Sequence, residues 1–269
     1  MLQAASGSNL ENLAKIRMKQ KDWPYPQWIA HRGAGLHAPE NTLAAFRYGY
    51  QAGYRMFECD AKLTADHQII LLHDATLDRT TNGTGLASEV SWDQAQRLDA
   101  GQWHSTLYAG EPVATLDRLN AFCQANDCML NIEIKPVPGH ELITGTLIAQ
   151  AACAAWQECE IKPLLSSFSV DALRAAMEAA PELARAQLMH TLRPQWQSTV
   201  NELQCHALIC NHEIVSADIV GSVHEMGMRC LSYTVNDELT ARRLINLGID
   251  GLITDEVERF DPRNGFKSI

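Results

Sequence analysis

Short apolar runs recur along the chain and alternate with longer segments of helical periodicity. Apolar runs bounded by turn residues are typical of strands buried in a parallel sheet, whereas apolar residues spaced three and four apart favour helices. This pattern predicts strands at 28–31, 56–60, 69–73, 129–135, 164–168, 186–190, 207–211, 230–235 and 252–254.

Helix signals lie between many of these runs. The segment NTLAAFRYGYQAG begins with Asn41, which favours a helix N-cap, and Gly53 favours the end of that helix. A second helix is predicted between Ser169 as its cap and Pro181. Strand and helix alternate from residue 28 to residue 254, and this predicts a parallel sheet covered by helices. At this length the closed TIM (β/α)8 barrel of the α/β class is the natural arrangement.

Nine strand candidates exceed the eight that this barrel needs, so one lies outside the barrel or is not a strand. The connection from Asp60 to Gln68 is too short for a helix, and we expect the barrel to be irregular between its second and third strands. Residues 74–115 contain few regular runs, which predicts a small insertion at the barrel mouth. We expect one catalytic TIM-barrel domain at 23–260, with the polar residues 1–22 outside the core and Met18 as an alternative start.

Composition narrows the class of protein. The hydrophobic fraction of 46% and the charged fraction of 20% are typical of a globular chain. A formal net charge of −10 without a long run of Lys or Arg argues against a nucleic-acid partner and against a polybasic membrane anchor. We therefore expect no nucleic acid and no stable membrane association, and the sequence is silent on the oligomeric state.

Cysteine usage and the N-terminal residues indicate a compartment. None of the eight cysteines forms a CxxC pair, so we interpret them as reduced thiols. The first residues lack the apolar core of a signal peptide, and no segment is apolar enough for a membrane span. We expect a cytoplasmic protein.

Carboxylates occupy alternate positions in two predicted strands. Residues two apart in a strand face the same side, so Glu58 and Asp60 share one face, and Glu133 shares another with Asn131 and Lys135. Buried carboxylates need a cation or an ion-pair partner. Taken alone, the pattern leaves two alternatives: a site for Mg²⁺ or Ca²⁺, with Mn²⁺ also compatible and Zn²⁺ a poorer fit, or buried salt bridges to lysine and arginine.

Two histidines end predicted strands. His31 follows WIA and His73 follows IILL, and both residues can act as general acid or base near neutral pH. Taken alone, a histidine of this kind is more often a hydrogen-bonded core residue. Arg32 offers a planar guanidinium suited to phosphate, or to an ion pair at the barrel mouth.

Seven blocks make the interpretation specific. The chain resembles the glycerophosphodiester phosphodiesterase family, most of all its cytosolic bacterial enzyme, over about residues 23–256. The blocks that carry the resemblance, in family order, are HRGAGLHAPENTLAAF, FECDAKLTAD, LLHDATLDRTTNGTG, NIEIKP, LLSSF, YTVN and GIDGLITD.

The resemblance implies a function for particular residues. It implies metal-dependent hydrolysis of a small glycerophosphodiester to sn-glycerol 3-phosphate and an alcohol. Three departures from the family pattern leave the chemical groups in place: Tyr233 where Trp is common, VATLDRL for an IPTL-type block, and HRGAG without the third glycine. The implied roles are an acid/base pair of His31 and His73, substrate contacts from Arg32, Lys135, Phe168 and Tyr233, and one divalent metal held by Glu58, Asp60 and Glu133.

Two other functions share this fold. A phospholipase-type enzyme acting on intact lipid predicts an exposed apolar rim or a basic patch, and the sequence displays neither. A non-catalytic barrel that binds phosphodiesters predicts the loss of a histidine or a carboxylate, yet all five are present. Both histidines and all three carboxylates therefore favour the hydrolase.

Overall fold

Eight parallel strands close into a barrel in the computed structural model, which describes residues 23–263, 265 and 266. The predicted extension at 1–22 lies outside the described residues. Hydrogen-bonded neighbours follow the order β1-β9-β8-β7-β6-β5-β4-β2, and pairing of β1 with β2 closes the ring. All nine predicted strands are confirmed, with small shifts of their ends. The strands are β1 Trp28–Ala30, β2 Met56–Leu63, β3 Ile69–Leu71, β4 Met129–Ile134, β5 Leu164–Ser167, β6 Ala184–Met189, β7 Ala207–Asn211, β8 Arg229–Tyr233 and β9 Gly251–Thr254.

The strand that does not belong to the eight-stranded barrel is β3, which runs antiparallel to β2 at the end of the sheet. Ala61 lies opposite Leu71 and Leu63 opposite Ile69, so the chain folds back in a hairpin. This hairpin is the irregularity expected after the second strand, and it identifies β3 as the strand outside the eight. By turning back, β3 delivers His73 to the level of Asp60, whose carbonyl accepts a hydrogen bond from the amide of Leu72 at 3.0 Å.

Helices cover the outside of the barrel. Most begin at a Ser, Thr or Asp whose side chain accepts a hydrogen bond from an amide of the first turn, as Ser169 does from Ala172. The helices are α1 Leu43–Gln51, α2 Trp92–Ala95, α3 Leu116–Ala125, α4 Glu141–Ala155, α5 Val170–Ala179, α6 Trp196–Glu202, α7 Ala217–Glu225 and α8 Glu238–Asn246.

The N-cap predicted at Asn41 is wrong. Thr42 caps α1 by accepting a hydrogen bond from the amide of Ala45. Asn41 lies one residue earlier in a left-handed conformation with φ of 60°, and its side chain contacts Asp60 instead. The predicted end at Gly53 is confirmed, because its φ of 102° is a conformation that glycine adopts without strain.

Residues 74–115 contain two 3-10 turns and the short helix α2 rather than a strand-helix unit. Their own small apolar cluster includes Leu77, Ala87 and Val113, packed with Ile70 of β3. The carboxylate of Glu111 also accepts a hydrogen bond from the amide of Ala44 at 3.0 Å. The segment is thereby attached both to β3 and to the start of α1.

Apolar side chains fill the barrel interior toward the amino-terminal ends of the strands. Ile29, Met56, Leu164, Ile209 and Leu231 are buried together inside the ring of strands. A larger apolar layer lies between the strands and the helices. Inside the ring, the charged side chains of β2 and β4 lie above the inner apolar cluster, toward the carboxyl-terminal ends of the strands. That end is where TIM barrels place their active sites.

Candidate active site

Three carboxylates meet above the apolar interior. Glu58 and Asp60 lie on the same face of β2, and Glu133 of β4 is in register with Asp60. One oxygen from each lies within 4.8 Å of the others. All three residues are buried, and Oε1 of Glu58 and Oδ1 of Asp60 have no hydrogen-bond partner. Orphaned anionic oxygens that converge in this way fit a divalent cation, so the three residues could hold a metal ion.

The electrostatics of the triad are asymmetric. Burial raises the pKa of Glu58 and of Glu133, and the neighbouring charge of Asp60 raises both further. Burial also opposes ionisation of Asp60, but Arg32 and Lys135 outweigh it and lower the pKa of this carboxyl. Nε of Arg32 lies 3.2 Å and Nζ of Lys135 lies 3.7 Å from Asp60 oxygens. Asp60 is therefore the most readily ionised of the three.

His31 lies directly after β1 and points its ring between two acids. Nδ1 lies 2.6 Å from Oδ1 of Asp255, the residue after β9, and Nε2 lies 3.8 Å from Oε2 of Glu58. Asn236 donates a hydrogen bond to the other oxygen of Asp255 at 2.9 Å. Burial lowers the pKa of His31, but the hydrogen bond to Asp255 and the charge of Glu58 together raise it above its usual value.

His73 has an acidic partner of its own. Nδ1 lies 2.8 Å from Oδ1 of Asp74, the next residue in the chain. Burial is the largest influence on His73 and lowers its pKa, with the charges of Arg32 and Lys135 acting in the same direction. The two histidines therefore have pKa values displaced in opposite directions, an arrangement suited to one acid and one base.

Arg79 of the insertion links the two sides of the site. Its guanidinium donates to both oxygens of Asp74, at 2.7 and 3.1 Å, and to both oxygens of Glu40, at 2.8 Å each. Glu40 in turn accepts a hydrogen bond from Arg32 at 3.0 Å. A continuous chain of charged hydrogen bonds thus connects His73 with Arg32.

Arg32 and Lys135 supply positive charge beside the carboxylates. Arg32 has a left-handed backbone with φ of 50°, and its amide donates to Oε2 of Glu58 at 3.1 Å. Nζ of Lys135 lies 3.0 Å from Oε1 of Glu133 and 6.0 Å from the ring centre of Phe168. Both cations are in position to contact an anion that reaches the triad.

A cavity of about 240 Å³ gathers most of the residues predicted from the sequence. Phe168 and Tyr233 form one wall, with ring centres 5.9 Å apart at an angle of 83°. Asp60 and Lys135, which do not line this cavity, contact the residues that do. The predicted residues on its wall are His31, Arg32, Glu58, His73, Glu133, Phe168 and Tyr233.

Several residues of the site were not predicted from the sequence. Leu188 and His190 line the same cavity at the end of β6, and His190 ended a predicted strand as His31 and His73 did. That signal could have identified it. Asp255 and Arg79 each contact a residue that is distant in the sequence, His31 and Glu40 respectively, and no local pattern marks them.

Comparison with known proteins places this geometry in a family. The model of the glycerophosphoryl diester phosphodiesterase family matches residues 31–259. The chain belongs to this family. It is therefore a glycerophosphodiester phosphodiesterase, a hydrolase, as its sequence motifs predicted.

Relatives and solved structures agree with the assignment. A glycerophosphodiester phosphodiesterase of Caldanaerobacter subterraneus is 32% identical over 233 residues, which is 86% of this chain and 94% of that protein. One of Bacillus subtilis is 27% identical and covers 86% of this chain and 84% of its own length. An Oleispira antarctica phosphodiesterase, solved in complex with the product sn-glycerol-3-phosphate, superposes with a TM-score of 0.81 at 32% identity. That comparison covers 87% of this chain and 94% of the other.

Among the residues described, no helix combines the length and the apolar character that crossing a membrane requires.

Proposed function

We propose that this phosphodiesterase hydrolyses small glycerophosphodiesters, such as glycerophosphocholine and glycerophosphoethanolamine, by metal-dependent acid/base catalysis. The products are sn-glycerol 3-phosphate and an alcohol. The observation that carries the proposal is the convergence of three buried carboxylates within 4.8 Å, beside a cavity whose wall includes His31 and His73. The Oleispira antarctica relative, bound to sn-glycerol-3-phosphate, supports the identity of the product.

Glu58, Asp60 and Glu133 would hold one Mg²⁺ or Ca²⁺, with Mn²⁺ also compatible, because all the donors are carboxylate oxygens. When bound, the cation would offset charge on the phosphate and lower the pKa of the attacking hydroxyl.

The side chains around the triad bind the phosphate and transfer protons. Arg32 and Lys135 bind phosphate oxygens and stabilise the charge that grows on them in the transition state. One of His31 and His73 removes a proton from the nucleophile, and the other protonates the leaving alkoxide. The nucleophile is water or the substrate's own glycerol hydroxyl.

Phe168 and Tyr233 contact the carbon atoms of the substrate, since their rings form the apolar wall of the cavity.

Residues 23–260 act as one catalytic domain that includes the insertion. We place the enzyme in the cytoplasm, without a nucleic-acid partner. None of the eight cysteines, all of which lie in the described part of the chain, forms a disulfide, and this supports the location because reduced thiols are typical of the cytosol.

One observation favours a second function, hydrolysis of lipid that retains an acyl chain. Three leucines are strongly exposed in segments that follow the carboxyl ends of strands: Leu36 at 65%, Leu107 at 90% and Leu239 at 82%. They are candidates for the apolar rim that the sequence did not reveal. Sedimentation with zwitterionic liposomes separates the two functions, since a head-group hydrolase stays in the supernatant.

The proposed function is tested by removing and restoring the metal. Protein treated with EDTA is assayed on a panel of glycerophosphodiesters, with Mg²⁺, Ca²⁺ or Mn²⁺ added back. We expect negligible turnover without metal and release of glycerol 3-phosphate once a divalent ion is restored. Activity that is independent of metal, or absent on every substrate, contradicts the proposal.

A further inference from the structure

A second cavity, of about 90 Å³, lies beside the active site. Its walls come from the end of β2, the turn at 64–67, the insertion, the loop after β4 and the first turn of α4. Lys135 borders both regions, since its side chain lines this cavity while Nζ lies 3.0 Å from Glu133 of the triad. The polar side chains on its walls are Lys62, Thr64, His67, Ser88, Lys135 and His140.

Lys62 is the buried charge of this cavity. It shares the face of β2 that carries Glu58 and Asp60, one alternation nearer the mouth, and it is 3% exposed. Its ammonium group contacts the carbonyl oxygen of Lys135 at 3.5 Å. In residues 23–263, 265 and 266, no carboxylate oxygen forms an ion pair with it within 4.0 Å. Asp60, Glu133 and Asp74 lie near enough to favour the charge of Lys62, whereas burial and the positive charge of Lys135 oppose it. An anion placed directly beside Lys62 would therefore be stabilised.

The facing wall favours an anion as well. Helix α4 has 15 residues and begins at Glu141, and its N-cap His140 makes no side-chain hydrogen bond to the first amides. Ile143 and Thr144 of its first turn line the cavity. The N-terminus of a helix carries partial positive charge and unpaired amide donors. Glu141 offsets part of this field but does not line the cavity.

One further acid lies near the turn at 64–67. Asp66 accepts hydrogen bonds from the hydroxyl of Thr64 at 2.6 Å and from the amide of Trp92 at 2.9 Å. Its oxygens are thereby engaged away from Lys62, with which they form no ion pair. The positive charge of Lys62 therefore remains available to a bound group.

We infer that this cavity receives the substrate's head group and favours head groups that carry a carboxylate or another anionic group. The inference rests on the proposed function: because Lys135 both contacts the triad and lines this cavity, one substituent of a phosphate held at the triad and Lys135 would reach Lys62. A cationic head group such as choline would bring positive charge against Lys62 and the start of α4.

A matched pair of substrates tests this inference. Glycerophosphoserine differs from glycerophosphoethanolamine by one carboxylate, so the ratio of their kcat/KM values isolates that group. The ratio is measured for the metal-loaded wild-type enzyme, for Lys62→Met, and for Lys62→Arg, which keeps the charge. We expect the wild type to favour the serine substrate, Lys62→Met to lower the ratio about tenfold, and Lys62→Arg to retain most of it.

The ratio is independent of how much of each variant is folded, because both substrates meet the same enzyme. Turnover of both substrates with the same ratio in wild type and Lys62→Met overturns the head-group inference and leaves the proposed function standing. Failure of the metal-loaded wild type to hydrolyse either substrate overturns both.

Discussion

The Nδ1 atom of His31 lies 2.6 Å from Oδ1 of Asp255, across 224 positions of sequence. β1 and β9 are adjacent parallel strands, so the residues that follow them meet at the barrel mouth. A carboxylate at one ring nitrogen fixes the orientation of the imidazole and leaves the other nitrogen facing the cavity. Pairing of β1 with β9 therefore positions and orients His31, one member of the proposed acid/base pair.

Asp255→Asn tests the role of this contact. We expect kcat to fall by about 100-fold, because the imidazole loses the partner that orients it and stabilises its protonated form. Asp255 helps to raise the pKa of His31, so the limb of the pH–kcat profile that reports His31 shifts to lower pH. The measurement is kcat across pH at saturating metal.

Asp250→Asn is the matched control. Asp250 also pairs with a histidine, His224, at 2.7 Å, but it lies at the amino-terminal end of β9, away from the site. We expect this variant to lose stability and keep its kcat. An unchanged pH profile in Asp255→Asn would show that the contact with His31 is structural only.

Arg79→Met tests the chain of hydrogen bonds from the insertion. The arginine holds Asp74 and Glu40, which contact His73 and Arg32. We expect kcat to fall about tenfold or more with a smaller change in KM. Asp74 loses the arginine that fixes it beside His73, whereas Arg32 keeps its own contacts with Glu58 and Asp60. Steady-state kinetics on glycerophosphocholine measure both.

Arg97→Met supplies the comparison for Arg79→Met. Arg97 lies in the same insertion and pairs with Asp93 at 2.8 Å, but both side chains are exposed, at 72% and 69%. An exposed pair of this kind contributes little. Equal kinetic effects of the two substitutions would mean that the insertion responds as a whole rather than through Arg79.

The raised pKa values of Glu58 and Glu133 predict how stability depends on pH. The metal-free folded state holds protons on these groups that the unfolded chain releases near its ordinary carboxyl pKa. Their contribution is therefore present at acid pH and lost as pH rises through the raised values. The lowered pKa of Asp60 acts at the acid end, where its contribution disappears as pH falls.

A metal must displace the protons on Glu58 and Glu133, so it binds more tightly at higher pH. We expect Mg²⁺ or Ca²⁺ to raise Tm more at about pH 8.5 than at about pH 5.5, and saturation to about 100 times Kd adds about 2.7 kcal/mol of stability. Thermal unfolding of EDTA-treated protein measures this. A metal effect that is equal at both values, or that survives Glu58→Gln with Glu133→Gln, contradicts the assignment.

Arg185→Met tests what stabilises the amino-terminal end of the barrel, opposite the active site. Arg185 is 1% exposed at the start of β6, and its guanidinium donates to the carbonyls of Leu203, Pro181, Leu183 and Gln204. Arg185→Met leaves buried carbonyls unpaired and should lower the free energy of unfolding by about 3 kcal/mol. Denaturant titration checks this value. Activity per folded molecule should stay unchanged. A large loss of kcat would contradict the purely structural role that we assign to Arg185.

Much of this arrangement was predictable from local sequence pattern. Strand periodicity placed Glu58 and Asp60 on one face of β2 and Glu133 on β4, and strand ends located His31 and His73. Asn41 was predicted to cap α1 because its type and position suit a cap. Its contact with Asp60 is a tertiary interaction that no local rule expresses.

The remaining features depend on long-range geometry. The pairing of Asp255 with His31 requires barrel closure, and the direction of β3 is set by its hairpin with β2 rather than by its apolar residues. Arg79 lies in a segment without periodicity, so only the folded chain reveals which acids it contacts.

Release of glycerol 3-phosphate from glycerophosphocholine by His31→Ala and His73→Ala tests the central claim most directly. His104→Ala serves as the control. His104 belongs to the insertion, contacts the carbonyl of Leu36 in the loop after β1, and has no proposed catalytic role. We predict that each active-site variant loses at least about 100-fold in kcat at saturating metal, while the control retains its activity. Turnover close to wild type in both His31→Ala and His73→Ala would contradict acid/base catalysis by this pair.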